Sequence, residues 1–463
     1  MTLSYDSAKR LLDREGQSHV LRFWDDLNPG QQTSLLAQIA DTDFSSVAAM
    51  RELLMRAGCA AAAPQDVEPA DVVRLDGPAR EEARAAGEAA LRAGEVGALL
   101  VAGGQGSRLG FDGPKGSFPI GPLSRAPLFA IHARKILALE RKHSTAIPFY
   151  IMTSRENDGA TREFFDRYGF FGLAEERVRF FIQGMWPALF PDGRIVMDRP
   201  DHLFASPDGH GGILAAMRAN GVIDDMSNRG LKTLYYFQVD NPLLEIADPV
   251  FIGIHRLRES QISVKVCEKR DPEEGLGVVA RREGRSVMVE YTELTHEQKH
   301  ERLPGGALKF RYGSVAIHVF SLAFLEQEAA RQLPLHVAHK KVPFCDERGQ
   351  TVKPEQPNAY KFEKFIFDVL PHADRTLNLE FRREDEFSPV KNASGQDSPD
   401  TARRDMMLKH ARWLEACGAA VPRTPSGEPA VRIEIDPCCA LGPDDLKGRL
   451  SPSFRVKGDL LLE

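Results

Sequence analysis

The chain has 463 residues, roughly three times a common domain size, which excludes a single small module. Hydrophobic residues make up 42% and charged residues 27%, close to soluble globular averages, so a disordered, fibrous or membrane-embedded body is excluded as well. A net charge of −6, from 60 Lys and Arg against 66 Asp and Glu, argues against a surface built for nucleic acid or an acidic membrane, so any anion site must be local.

At the amino end Asp6, Lys9, Arg10 and Asp13 stand where a signal peptide would need an apolar run. No later stretch reaches the roughly 18 apolar residues of a membrane span. The six cysteines (Cys59, Cys267, Cys345, Cys417, Cys438, Cys439) are scattered, with no CxxC pair or zinc spacing, as expected of reduced thiols and a cytoplasmic address. From Ser7 to about Gly58, Leu11, Leu12, Leu35, Leu36, Ile39, Val47, Met50, Leu53 and Leu54 recur at three- and four-residue intervals, which predicts helices. Ala79 to Gly94, rich in Ala, Glu and Arg, predicts another helix closed by its glycine. Residues 1–95 therefore read as an N-terminal helical accessory region.

The texture changes at Val96, where VGALLV runs into a cluster of glycines, as a buried strand does when it ends in a turn. Further apolar runs at Ile147–Met152, Val178–Ile182, Leu234–Val239 and Ile262–Val266 alternate with helical stretches such as Leu128–Leu139 and Gly212–Ala219. Such alternation predicts an α/β layered sheet. GVVARREGRSVMVEYTEL, from Gly277 to Leu294, reads instead as two strands joined by a Glu-Gly turn, an antiparallel hairpin laid on that sheet. Residues 96–390 thus form a central α/β domain. A polar loop, a helix through Trp413 and short strands near Val431–Ile435 and Phe454–Leu461 make residues 391–463 a small C-terminal β-rich domain.

The chemistry concentrates in VAGGQGSRLGFDGPKGSFPIG, Val101 to Gly121. Gly104, Gly106 and Gly110 give G-x-G-x-x-x-G, one residue longer than the dinucleotide fingerprint, and no strand-end acid follows about 20 residues on, so an NAD site and a dehydrogenase are disfavoured. Pro114 occupies the place of the glycine that precedes the lysine of a P-loop. What remains is either an ordinary glycine turn or one whose bare N–H groups approach an anion, with Arg108 and Lys115 as fixed cations suited to a triphosphate. No G-x-S-x-G, H-E-x-x-H or CxxC supplies a nucleophile or a zinc site. His336 and His339 are expected on a helix, Glu384, Asp385 and Glu386 on a salt-bridged face, and Phe165, Phe170, Phe171, Phe180 and Phe181 in a core.

GGQGSRLG followed by PKGSFPIG resembles the signature of the UDP-sugar pyrophosphorylases, most closely the eukaryotic-type UDP-N-acetylhexosamine pyrophosphorylases. IQGMWPALFPDG, SPDGHGG, QVDNPLLEIADPVFIGIH, VCEKRDPEEGLGVV, MVEYTEL, HVAHKKVPF and REDEFSPVKNA look like further blocks in the family's order. The resemblance implies a central nucleotide-binding mixed sheet of glycosyltransferase-A or Rossmann-like type flanked by helices. It also implies transfer of a uridylyl group from UTP to a sugar 1-phosphate, with pyrophosphate leaving and Mg²⁺ as cofactor. Residue by residue, Gly103 and Gly104 would touch the nucleotide, Arg108 the departing pyrophosphate and Lys115 the phosphates. Gln183 and Gly209 would recognise uracil, Asp240 at the end of LYYFQV would hold Mg²⁺, Glu290 would accept sugar hydroxyls, and Lys391 would reach the α-phosphate.

Two departures concern the sugar. His210 stands where the acetylhexosamine enzymes carry Asn, and G-H-G is more like the UDP-glucose and broad UDP-sugar branches; Ser314 and Ile317 stand at two further family asparagines. The expected product is UDP-N-acetylglucosamine, with a UTP–glucose-1-phosphate uridylyltransferase or broad UDP-sugar pyrophosphorylase as the alternative. A non-catalytic nucleotide-sugar sensor is the reading from another class. UTP and a sugar 1-phosphate are the expected partners, with no nucleic acid and no membrane, and the oligomeric state is left open.

Overall fold

The structure, a computed structural model, describes residues 3–57, 66–451 and 454–463; Cys59 and Gly58, the expected end of the first helical region, lie outside them. The chain divides into two compact units, one built from Met1–Ala63, Gln183–Ile213 and Gln332–Asp368, the other from Pro64–Ile182, Leu214–Arg331 and Val369–Glu463.

The first unit opens with three helices, α1 (Tyr5–Arg14), α2 (Pro29–Asp41) and α3 (Phe44–Ala57). Ser4 caps α1 by accepting from the Ser7 N–H, while Asn28 and Gln31 form a capping box on α2 with Pro29 in its first turn. Their apolar stripes, Ala8 and Leu12, Leu35 and Ile39, Val47 and Met50, close on Leu189, Ile195, Met197, Leu203, Cys345 and Phe362 in one core. Gln17, fully buried, ties the helices to this core: its amide donates to the Gly193 carbonyl at 3.0 Å and accepts from the Ile195 N–H at 2.8 Å. The helices are built into the unit and are not an accessory to it. His336 and His339 lie on a strand, His336–Lys340, paired antiparallel with Ala359–Glu363, which corrects the helical expectation. A spacing of three fits a helical face, but Val337 between them packs on the core and the cross-strand ladder decides.

Among the described residues the second unit holds a ten-stranded mixed sheet. In chain order its strands are β1 (Glu68–Pro69), β2 (Val96–Val101), β3 (Phe149–Thr153), β4 (Val178–Ile182), β5 (Thr233–Gln238), β6 (Ile262–Glu268), β7 (Val278–Arg282), β8 (Arg285–Val289), β9 (Tyr312–Ser321) and β10 (Thr376–Glu380). The order across the sheet is β1-β7-β9-β5-β2-β3-β4, with β6 joining β9 to β10 and β8 on β7. Pairings among β5, β2, β3 and β4 and between β6 and β10 are parallel, and β9 runs antiparallel to β5 and β6. β2 lies between two parallel neighbours and is buried for most of its length, hence its unbroken apolar sequence. The expected hairpin is β7–β8, and both of its turn residues are left-handed, Glu283 at φ 50° and Gly284 at φ 78°, as a type I′ turn requires.

Two helices, α4 (Gly77–Arg92) and α5 (Leu128–His143), share the core of this sheet with a later helix, α6 (Pro249–Leu257). α4 and α6 pack backbone to backbone, for a Cβ at Gly87 would lie 1.8 Å from the Pro249 carbonyl oxygen and one at Gly253 would lie 1.6 Å from that of Ala83. Of the five phenylalanines expected in a core, Phe165 and Phe181 are buried, and Phe170, Phe171 and Phe180 pack against the cluster that holds Phe165. Beyond Lys391 an 18-residue helix, α7 (Pro399–Ala416), outweighs two three-residue strands, Ile433–Ile435 and Leu460–Leu462, so this segment carries less strand than the β-rich expectation. Its own apolar cluster, including Leu414, Ile433, Ile435 and Leu446, explains why the sequence there looked strand-like. Of the acidic run, Glu384 and Asp385 form the expected exposed pairs with Arg382, but Glu386 is buried and pairs with Lys265, itself bonded to Asp248 at 2.8 Å. Among the described residues no helix is long and apolar enough to cross a membrane.

Candidate active site

β2 ends at Val101 and releases the glycine loop from the carboxyl edge of the parallel strands, where open α/β sheets present their ligand sites. The loop is a clasp: the Gly106 N–H donates to the Gly113 carbonyl at 2.9 Å and the Lys115 N–H to the Gly104 carbonyl at 3.1 Å. Beneath it Asn157, fully buried, donates to the Ala102 carbonyl at 2.8 Å and the Gly104 carbonyl at 3.3 Å. The glycines divide by cause. Gly106 and Gly116 have no room for a Cβ against Phe111 and Phe129, and Gly110 and Gly113 have φ of 66° and 128°. Gly104 has neither constraint: a Cβ there would meet nothing within 4 Å among the described residues. The protein's own packing does not ask for glycine at 104, whereas close approach of an anion to its N–H would.

Lys115 turns back over the loop, and its ammonium lies 3.6 Å from Oδ2 of Asp240, the residue following Val239 after β5. The Asp240 carbonyl accepts from the Val390 N–H at 2.8 Å, which places Lys391 on the neighbouring segment. The structure therefore brings together Gly104, Lys115, Asp240 and the chain entering Lys391. Arg108 stands exposed on the short turn Ser107–Leu109 of the same loop, and Gly103 precedes Gly104 half-buried. Asp240 offers a single hard carboxylate, a donor suited to Mg²⁺, which takes one or two carboxylates and completes its shell with phosphate oxygens and water. Two other acidic clusters, Glu273 with His296 and His300, and Glu245 with Asp248 and Glu386, are exposed or already matched to the Lys265 ammonium.

Glu290 and Ser314 meet around Gly277, a residue that sequence reading passed over. The Ser314 N–H donates to the Gly277 carbonyl at 2.8 Å, and a Cβ on Gly277 would lie 3.0 Å from Glu290 Oε1. Ser314 sits on β9 beside a register shift against β6 and two residues before Ala316, whose φ is 58°. Ile317 is buried in the main core, so the departure at that position is one of packing.

Gln183, Gly209 and His210 belong to the other unit. Gly209 has φ 84°, and a Cβ there would lie 2.4 Å from the Lys364 carbonyl; the Gly211 N–H donates to that carbonyl at 2.8 Å. The His210 ring is stacked on Phe365, and its Nδ1 accepts from the Ile366 N–H at 3.1 Å, which fixes the neutral tautomer with the proton on Nε2. Burial lowers its pKa to about 4, with His336 adding repulsion, so the imidazole stays neutral and can donate through Nε2. Between Gln183 and Gly209 lies a group the sequence did not flag. Asp208 is wedged between Gly184 and Gly212, either of which would strike its carboxylate with a Cβ, and its Oδ1 is buried without a hydrogen-bond partner among the described residues. Burial raises its pKa to about 7 against the pull of the Lys364 ammonium. Lys364 was also missed; its ammonium lies 4.7 Å over the Trp186 ring and nothing in its bare sequence marks it apart from other lysines.

Residues 63–429 match the family model described as UTP–glucose-1-phosphate uridylyltransferase. A human protein named UDP-N-acetylhexosamine pyrophosphorylase-like protein 1 is 37% identical, covering 96% of this chain and 94% of its own. A Saccharomyces cerevisiae UDP-N-acetylglucosamine pyrophosphorylase is 35% identical over 89% of this chain and 92% of its own. The crystal structure of the Trypanosoma brucei uridine diphosphate N-acetylglucosamine pyrophosphorylase with an inhibitor superposes with a TM-score of 0.83 at 28% identity, covering 98% of both chains.

Proposed function

The chain belongs to the UTP–glucose-1-phosphate uridylyltransferase family, and we propose that it joins UTP to N-acetylglucosamine 1-phosphate, forming UDP-N-acetylglucosamine and pyrophosphate. Family membership makes it a nucleotidyltransferase. A phosphate oxygen of the sugar 1-phosphate attacks the α-phosphorus of UTP, a new P–O bond forms, and the bond to the bridging oxygen of the β-phosphate breaks so that pyrophosphate departs. Such a transfer needs two mutually repelling anions held together and charge on the leaving group neutralised, with no nucleophilic side chain.

The observation that carries the reading is the continuous link from Gly104 through Lys115 to Asp240 and on to the segment of Lys391. In this reading the Gly103 and Gly104 backbone and Lys115 hold the UTP phosphates, Arg108 meets the pyrophosphate end, and Lys391 supports the α-phosphate. Asp240 would hold Mg²⁺, which supplies charge neutralisation on the phosphates when bound. Gln183 and Gly209 would read uracil, while Glu290, Ser314 and His210 would contact the sugar. The names of the human and yeast relatives support an N-acetylated sugar. The scattered thiols support a cytoplasmic address.

A second reading, a UDP-glucose or broad UDP-sugar pyrophosphorylase, is favoured by His210, whose Nε2 offers one donor and no carbonyl acceptor for an acetamido group. Pyrophosphate release from UTP and Mg²⁺ should be compared across the 1-phosphates of N-acetylglucosamine, N-acetylgalactosamine, glucose and galactose. The proposal expects the highest kcat/KM with N-acetylglucosamine 1-phosphate. A glucose preference or equal rates would establish the second reading, and tight UDP-sugar binding with no release from any of the four would mark a sensor.

A further inference from the structure

Two chain segments that are far apart in sequence bear on the transfer reaction, one running from Asp240 to Glu245 after β5 and the other from Asp385 to Lys391. Several buried side chains join them: the Glu386 carboxylate accepts from the Glu245 N–H at 3.3 Å, Lys409 bonds to both segments, and Asn241 bonds across with both a donor and an acceptor. Asn241 is 4% exposed, and its Nδ2 donates to the Glu386 carbonyl at 2.6 Å. Its Oδ1 accepts from the Ser388 N–H at 3.2 Å and from the Leu243 N–H at 3.3 Å, so one amide closes its own turn and grips the opposite segment at two points. The main-chain bond from Val390 to Asp240 lies immediately beyond.

Two lysines brace the same turn from behind. Lys409 of α7 donates to the Leu243 carbonyl at 3.0 Å and to the Asp385 carbonyl at 2.5 Å, and Lys135 of α5 donates to the carbonyls of Pro242 and Leu244 at 2.5 and 2.7 Å. These lysines fix where the turn lies. Asn241 alone uses both a donor and an acceptor to fix its spacing from the segment that ends in Lys391.

We propose that Asn241 is a positioning residue for the uridylyl transfer, holding the Lys391 segment in register with Asp240 through its side-chain amide. The inference rests on the roles given to Asp240 and Lys391 above. Asn241 acts through Lys391 and touches no reacting atom. Alanine in its place leaves the Glu386 carbonyl and the Ser388 N–H buried without their partner. Aspartate keeps the size and both acceptor contacts but sets an oxygen against the Glu386 carbonyl. A displacement of about 1 Å in such a constellation is enough for a rate loss on the order of 100-fold.

The test compares kcat and KM for both substrates, and Tm, in the wild type, Asn241→Ala, Lys391→Ala and the double variant. Asn241→Ala should lower kcat by ~30-fold with the KM for UTP within about threefold, and in the Lys391→Ala background the same change should cost less than about threefold, because its effect is already spent. Asn241→Asp should lose kcat in the same direction with Tm within a few degrees of wild type, and it supplies the reading if the alanine variant does not fold. Ser388→Ala keeps its N–H on Asn241 while losing the 2.7 Å bond to Asp405, and should retain kcat. Rate losses that multiply in the double variant, or a lowered Tm with unchanged kcat in both Asn241 variants, would overturn the inference. A wild-type kcat in Lys391→Ala would overturn the role of Lys391 first, and the inference with it.

Discussion

Asp208 shows how a carboxyl group behaves when two glycines are its walls and, among the described residues, its Oδ1 is buried without a hydrogen-bond partner. Its pKa rises from 3.8 unfolded to about 7 folded. Below the unfolded value both states hold the proton. Between the two values the folded chain keeps a proton that the unfolded chain has released, so stability falls as pH rises through that window, and above about 7 the folded state carries the buried charge. Asp208→Asn should therefore raise Tm at pH 8, by up to ~4 kcal/mol in stability, and the gain should vanish near pH 4. Melting curves at the two pH values check this; a gain that does not change with pH would refute the buried-charge account. Gly104→Ala is a second residue-scale expectation. With open space around the missing Cβ, Tm should hold within about 2 °C while kcat/KM for UTP falls at least ~10-fold, equivalent to about 1.4 kcal/mol. Kinetics and melting on one preparation separate the two effects. The sequence showed a glycine cluster and two cations but not which glycine serves a ligand, because that distinction lies in the Phe111 and Phe129 rings packed against Gly106 and Gly116. Asp208 and Gly277 were illegible for the same reason: their significance is in what surrounds them.

At the scale of elements, the parallel strands could be read because burial on both faces forces unbroken apolar runs, and the β7–β8 hairpin because Glu283-Gly284 matches a left-handed turn. The crossing of α4 and α6 could not, since Gly87 and Gly253 look like weak points in two helices until each is seen against the other's carbonyls. Gly253→Ala should be severely destabilising, by about 3 kcal/mol or more, because the obstacle is backbone and cannot rotate away. Thermal melting should show a drop of at least several degrees, or no folded product. Gly159, whose Cβ would meet nothing within 4 Å, is the control, and Gly159→Ala should leave Tm unchanged or slightly raised. The strand at His336–Lys340 escaped sequence reading because two histidines three apart fit a helical face equally well.

For the whole molecule, the division into units follows contacts that no local pattern encodes. Three helices that looked like an appendage complete a core whose other half comes from residues 183–213 and 332–368. Deleting residues 1–57 should uncover Leu189, Ile195, Met197, Leu203 and Phe362, giving an aggregated protein or a soluble one that binds a hydrophobic dye. A soluble, dye-silent and fully active deletion would contradict this. The net charge of −6 constrained only the average; Lys115 against Asp240, with Arg108 exposed on the same loop, concentrates cations at one strand edge.

The discontinuity of that first unit also sets a schedule for the growing chain. α1 to α3 leave the ribosome well before the rest of their unit, and their core closes only after Phe362, roughly 300 residues later, a wait of tens of seconds at ordinary elongation rates. During that interval Leu12, Leu35, Ile39 and Met50 lack the half of their core that runs from Leu189 to Phe362, so these helices are finished long after they are made, and their apolar stripes are the natural target of a cotranslational chaperone.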